Sequence, residues 1–271
     1  MQSVTRAGEY VTAGGVRTYY EMHGTGEPLV LLHGGLCTVE TLDGLTPVLA
    51  EQYRVYTPER RGHGRTADVA GPLTYQNMAA DTIAWMDALG LSQTRLVGFS
   101  DGGNVALEVA LRRPDLVAKL VVMGAAARLD GFVPEQIELG RRWRGKPSPP
   151  IFAQFKSLYG AVSPDGPDHF EVMFAKSGEL WHSGWSMTEE QLGAIGAPAL
   201  VLLADDDVLT VEHAAAMARE LGDAQLAVVP GTSHALLFEK PDLVNRLILD
   251  FLAVKQLPRM MSLRALVAEP E

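Results

Sequence analysis

Apolar and polar positions along the chain follow two rhythms. "EYVTA" and "VRTYYEMH", meeting at "AGG", alternate with a period of two and predict an antiparallel hairpin. Later runs are apolar throughout: "PLVLLHGG", "YRVYTPE", "TRLVGFS", "KLVVMGAA", "APALVLLAD" and "AQLAVVPG". Uninterrupted runs of that length, ending in glycine or charge, predict strands buried on both faces. Between them lie segments with helical spacing. "TYQNMAADTIAWMDALG" places Met78, Ile83, Met86 and Leu89 on one side, with Thr74 as N-cap and Gly90 as stop. "GNVALEVALRR" ends at Pro114, and "VEHAAAMARELG" is preceded by Thr210 and stopped by Gly222. "PDLVNRLILDFLAV" starts with proline in its first turn. Strands that alternate with helices predict βα units and a mostly parallel sheet.

Residues 130 to about 190 break this rhythm: they hold no convincing strand, only short helix-like patches among "RGKPSPP" and "SPDGPDHF". The chain has four Trp, seven Tyr and eight Phe, and nine of these aromatics fall in that segment. A small helical insertion needs large side chains to build a core of its own, and that accounts for most of them. Some would then be left to line an apolar pocket, and Trp181 and Trp185 are the first to consider.

One turn carries candidate chemistry. In "LVGFSDGGNVALEV", Ser100 lies between Gly98 and Gly102, after an apolar strand and before a helix. A strand–turn–helix this sharp leaves no room for side chains on either side, and it lifts the serine hydroxyl out at the strand's carboxyl end. There the helix dipole favours developing negative charge. A serine hydroxyl needs a base to become a nucleophile. Of the seven histidines, His234 fits best, because it follows the last strand at the sheet edge where α/β proteins bind and react. His33 ends a strand and is read as a brace for the glycines after it; His63 is read as structural. An acid must orient the base. Asp205, Asp206 and Asp207 end a strand together, and three adjacent carboxylates are not all buried cheaply. Between Asp207 and His234 there is room for one helix and one strand, which puts the two on neighbouring loops.

Composition narrows the classes. The chain has 271 residues, 47% hydrophobic and 21% charged, which suits one sizeable α/β core with an insertion. The net charge of −10 argues against nucleic-acid partners and anionic membrane surfaces. Cys37 is the single cysteine, so no internal disulfide is possible, and a small buried role is expected. No apolar stretch reaches membrane-spanning length and "MQSVTRAGEYVTAGG" has no apolar signal core, so a cytoplasmic protein is expected. The tail "PRMMSLRALVAEPE" is read as a loose end, and nothing in the sequence sets an oligomeric state. No H-E-x-x-H, no Cys/His ligand spacing and no dinucleotide-type glycine pattern occurs, so neither metal nor cofactor is expected.

With "HGG" after a strand, then "RRGHGRT", "GFSDGG", "ADDDVLT" and "GTSHALLFEKP" in that order, the chain resembles the α/β-hydrolase superfamily over residues 8 to 256. The resemblance implies the α/β-hydrolase fold: a mostly parallel eight-stranded sheet flanked by helices, with a small helical cap inserted after strand six. It implies a core domain of residues 1–129 and 191–271 and a cap at 130–190. It implies a capped serine hydrolase with Ser100, Asp207 and His234 as catalytic residues, Asp207 being chosen as the last of its cluster. The oxyanion hole would be the backbone N–H groups of Asp101 and of Gly35, with Leu36 as fallback and as a pocket residue. The Asp101 carboxylate, which would repel an oxyanion, is expected to point away from the pocket. The expected reaction is hydrolysis of a small or medium apolar carboxylic ester or lactone, a small-molecule substrate, through an acyl-enzyme on Ser100. A carbon–carbon bond hydrolase or cofactor-free perhydrolase could use the same triad. In another class altogether stands a non-catalytic ligand-binding member of the fold, which would give at most one stoichiometric burst with p-nitrophenyl esters.

Overall fold

A computed structural model describes residues 8–253; the tail from Pro258 onward lies outside the described residues. Eight strands form one sheet: β1 (Glu9–Ala13), β2 (Val16–His23), β3 (Pro28–Leu32), β4 (Arg54–Pro58), β5 (Thr94–Phe99), β6 (Val117–Met123), β7 (Ala199–Asp206) and β8 (Ala224–Ser233). Their order is β1-β2-β4-β3-β5-β6-β7-β8. The first hairpin and the β2–β4 pair are antiparallel; the other pairs are parallel. The helices are α1 (Thr46–Leu49), α2 (Tyr75–Ala88), α3 (Asp101–Arg112), α4 (Pro134–Trp143), α5 (Ala153–Val162), α6 (Phe170–Trp181), α7 (Glu189–Gly193), α8 (Val211–Glu220), α9 (Leu236–Glu239) and α10 (Pro241–Leu252). Thr74 and Thr210 cap α2 and α8 through their side chains, accepting from the amides of Asn77 and His213. Among the described residues no helix is long and apolar enough to cross a membrane.

The uniformly apolar strands serve two cores at once. Side chains alternate across a strand, so Val30, Leu32, Leu96, Leu120, Val122, Val201 and Leu203 pack on one face, with α2, α3 and α8. Leu29, Leu31, Val97, Phe99, Val121, Met123, Leu200 and Leu202 pack on the other, against α1 and α10. At about 25 cal/mol for each Å² of apolar surface buried, these two layers provide the main drive to fold.

Between β6 and β7 lie α4 to α7 and no strand. Trp143, Phe152 and Phe174 pack edge to face, and Tyr159 stacks the same way on Phe170. Most of the aromatics in this segment therefore build its interior, as an isolated helical cluster requires.

Candidate active site

Ser100 follows β5 directly and has φ 52° and ψ −124°, a left-handed backbone that side chains rarely adopt. The turn is kept by close packing. A Cβ on Gly98 would collide with the Gly102 carbonyl, and one on Gly102 with the carbonyls of Leu32 and His33. The Ser100 amide donates to the Met123 carbonyl at 2.7 Å, tying the turn to β6. The sequence spacing of glycines around Ser100 thus has the steric cause expected of it.

His234 and Asp207 reach the serine through strand pairing. After a register shift, Asp206 on β7 lies opposite Ser233 on β8. The next residue of each strand, Asp207 and His234, therefore emerge side by side at the carboxyl edge. His234 Nδ1 is 2.7 Å from Asp207 Oδ1, and His234 Nε2 is 3.0 Å from Ser100 Oγ. A carboxylate only accepts, so Nδ1 carries the hydrogen in the neutral ring and Nε2 is left to accept from the serine hydroxyl.

Asp207 also accepts from the amides of Ala204 (3.0 Å) and Val208 (2.8 Å). Its side chain is fully buried, while that of His234 keeps 30% of its surface. Burial alone would raise the Asp207 pKa, but the His234 contact and the two amides outweigh it and hold the carboxyl below its ordinary value. Of its neighbours, Asp206 is exposed, and Asp205 accepts from the Thr232 amide at 3.0 Å instead of reaching His234.

Two residues that sequence reasoning did not single out seat the imidazole. Phe99 lies 5.2 Å from it, ring centre to ring centre. Gly124, at φ 54°, lies beneath it: a Cβ there would be 3.0 Å from His234 Cε1 and 3.1 Å from Nδ1. The available signal was a glycine ending the apolar run "KLVVMG", in the same place as the glycines after β3.

The "HGG" loop is braced from below. His33 is fully buried; its Nδ1 lies 2.8 Å from the Gly34 carbonyl, and its Nε2 accepts from the Arg60 amide at 3.2 Å. The Arg60 guanidinium donates to the carbonyls of His33 and Gly34. Burial, the Arg60 charge and His63 push the His33 pKa well down, so the ring stays neutral. His63 is buried beside it, ring centres 5.1 Å apart. Cys37 is buried as well, and burial raises its thiol to about 12. It is an inert packing residue rather than a nucleophile.

Asp101 and Gly35 lie together. A Cβ on Gly35 would collide with Asp101 Oδ2 and come within 3.2 Å of the Trp181 ring. The Asp101 carboxylate does not turn away from the site. It accepts from the Tyr75 hydroxyl at 2.8 Å and from Trp181 Nε1 at 3.0 and 3.1 Å. The reason is that two donors from different helices converge on it and satisfy it where it is. Leu36 is also not where it was expected. Its φ of 58° turns the loop so that the side chain is 2% exposed and packs with Val30 and Leu32 in the sheet core.

A small cleft of about 20 Å³, partly open to solvent, lies next to this loop. Trp181 and Trp185 line it, together with Tyr75, Phe132, Asn104 and Arg128. Trp185 Nε1 donates to Glu108 at 2.8 Å, and its ring meets Tyr75 edge to face at 4.7 Å. Arg128 is held by both oxygens of Glu220, at 2.8 and 3.0 Å. Ser100, His234 and Asp101 are not among the lining residues; Trp181, which is, links the cavity to Asp101 through its indole N–H. Among the described residues no group of three or more His, Cys, Asp or Glu side chains could hold a metal ion.

The sequence profile of the Alpha/beta hydrolase family matches residues 29–247. A putative carbamate hydrolase, RutD, of Azorhizobium caulinodans is 26% identical over 257 residues, covering 89% of this chain and 97% of the relative. A 2-hydroxy-6-oxo-6-phenylhexa-2,4-dienoate hydrolase of Burkholderia cepacia is 29% identical, covering 85% and 89%. Among solved structures, a variant of the meta-cleavage product hydrolase CumD superposes with a TM-score of 0.76 at 26% identity, covering 90% of this chain and 97% of its own.

Proposed function

The chain belongs to the alpha/beta hydrolase family, and on that premise we propose that it is a serine hydrolase of small or medium apolar carboxylic esters or lactones. The observation that carries the proposal is the unbroken line from Asp207 through His234 to Ser100, with separations of 2.7 and 3.0 Å, on a strained elbow.

Ser100 Oγ attacks the substrate carbonyl while His234 Nε2 takes its proton. Asp207, kept ionised by its hydrogen bonds, holds the ring in that tautomer and stabilises the imidazolium. The amides of Asp101 and Gly35 receive the oxyanion, each worth roughly 3 kcal/mol of barrier. His234 returns the proton to the leaving alkoxide, then activates a water that hydrolyses the acyl-enzyme. Helices α4 to α7 act as a cap: they bring Trp181 and Trp185 to the cavity, exclude water and set the size of the substrate.

The cavity walls favour an uncharged substrate. They are largely aromatic or aliphatic, and their guanidinium, on Arg128, is already occupied by Glu220. The second reading is carbon–carbon bond hydrolysis on the same triad, favoured by the relatives with that activity in their names. A substrate that is a dienoate brings a carboxylate to the Asp101 carboxylate beside Gly35, with the Arg128 guanidinium already committed to Glu220. Ester hydrolysis is therefore the better fit.

A fluorophosphonate probe tests the proposal, because it reacts only with a serine activated by base and oxyanion hole. Intact mass should show a single adduct on the wild-type chain and none on Ser100→Ala. A folded wild-type chain that takes no adduct would sink the proposal in favour of a ligand-binding member of the fold.

A further inference from the structure

The residue after the candidate nucleophile carries a charge that opposes the chemistry. An oxyanion formed between the amides of Asp101 and Gly35 would have the Asp101 carboxylate for a neighbour, since one of its oxygens rests against Gly35. Like charges at such range repel strongly where water is excluded. The carboxylate is 6% exposed and cannot be screened by solvent alone. What faces it is therefore informative. From α2 comes the Tyr75 hydroxyl, on Oδ1. From the loop after β4 comes the Arg60 charge, which Asp101 helps to sustain against burial. From the loop after β3 comes Cys37, which stays a thiol. From α6, the last long helix of the insertion, comes Trp181, with Nε1 shared between both carboxylate oxygens at 3.0 and 3.1 Å. The same indole packs on Gly35, where any side chain would displace it. Tyr75, Arg60 and Cys37 belong to the core, but Trp181 arrives only with the inserted helices.

We propose that Trp181 is a positioning residue: its indole N–H holds and offsets the Asp101 carboxylate beside Gly35, so the oxyanion site reaches full strength only when α6 is docked. This rests on the serine hydrolase reading above. The clamp couples the seating of the cap to the electrostatics of the elbow. A substrate bound under a raised α6 would meet an unbalanced carboxylate and a weaker oxyanion site, and would leave unreacted. The role is separate from lining the cavity. Lining acts on ground-state binding and shows in KM; the clamp acts on charge that exists only in the transition state and shows in kcat.

The test is steady-state hydrolysis of p-nitrophenyl acetate by the full chain. The variants are W181F, which keeps the ring and loses the donor, and W181F combined with D101N, which removes the charge that needed the donor. In W181F, kcat should fall roughly ten-fold, the scale of one hydrogen bond to a charged group, with KM within about two-fold of wild type. Adding D101N should recover most of that loss. A loss that D101N does not recover, or one confined to KM, would overturn the clamp and leave Trp181 as a wall of the cavity. If W181F does not fold, Y75F unmasks the same carboxylate from the core side. It must then show the same fall and the same recovery with D101N, or the proposal fails. Turnover absent from the wild-type chain would sink the hydrolase reading and the clamp with it. Turnover present in the wild type with unchanged kcat in W181F would overturn the clamp alone.

Discussion

Strand β5 buries all six of its residues, whereas helix α4, in the insertion, buries none. The strand ends lead into the reactive turn with no freedom left: main chain presses on main chain at Gly98 and Gly102, and the hydroxyl has one direction to point. The inserted segment is pinned to the core by main chain at its two ends, Val133 to Val208 and Met187 to Ala127, and side chains make further contacts between. The Asp68–Lys176 ion pair at 2.6 Å and the His169–Asp68 hydrogen bond at 3.0 Å are two such contacts, and the indole bonds of Trp181 and Trp185 are others. Chemistry that must be accurate to a fraction of an ångström sits on the part held by backbone. In the proposed hydrolase, selection of the substrate would sit on the part held by side chains.

That contrast can be broken at either end. The largest effect should come from Asp207→Asn. The backbone is unaffected, but the amide favours the wrong His234 tautomer, and kcat should drop about 10⁴-fold with the protein still folded. Stopped assays on esters together with a thermal melt check this; a drop of less than ten-fold would remove Asp207 from the triad. Next comes Trp185→Leu. It removes a ring that Tyr75 and Glu108 hold in the cavity wall, and should enlarge the cavity. Preference for longer over shorter acyl chains should then shift by roughly ten-fold, read as the ratio of kcat/KM for p-nitrophenyl butyrate and acetate. An unchanged ratio would place the acyl group elsewhere.

A third effect, on stability and without a direct effect on rate, concerns the brace beneath the "HGG" loop. Burial, followed by the Arg60 charge, lowers His63 to about 3, and His33 moves in the same direction. In the unfolded chain both return to about 6.5. Between those values the unfolded state binds more protons than the folded one. Stability is therefore complete above 6.5, declines as pH falls below it, and for His63 levels off near 3. The slope should approach 1.4 kcal/mol per pH unit for each histidine, at about 25 °C. Denaturant melts from pH 7 to 4 should show it in the wild type and a shallower slope in His63→Gln. Equal slopes would mean that His63 titrates normally in the folded state.

Much of the molecule was legible before its structure. An alternating hairpin and six apolar runs announced eight strands, and all eight appear, although β8, at the sheet edge, leaves Leu226 and Val228 exposed instead of burying both faces; the capping threonines Thr74 and Thr210 stand where the helical spacing placed them. Ser100 could be found because a turn of that sharpness excludes side chains locally, and local exclusion leaves glycines in the sequence. His234 could be found because position after a strand is also local. Asp207 was separable from Asp205 and Asp206 only by resemblance to a family, since adjacent carboxylates differ by which of them the register of β7 and β8 delivers to the imidazole. Register is a property of two strands, and neither strand records it alone.

Tertiary structure alone decided the rest. Nothing in "HGGLC" says that Leu36 turns into the core, because its φ of 58° is set by what packs around the loop. Gly124 could not be linked to His234, more than a hundred residues on, until the strands stood side by side. The Asp101 carboxylate was expected to leave the site because a charge beside an oxyanion is unfavourable by itself. It stays because Tyr75 and Trp181, remote in the chain, converge on it. Steric demands of neighbouring residues are written in sequence; partners brought together by folding are not, because satisfying a buried charge depends on distance in space and not on separation along the chain.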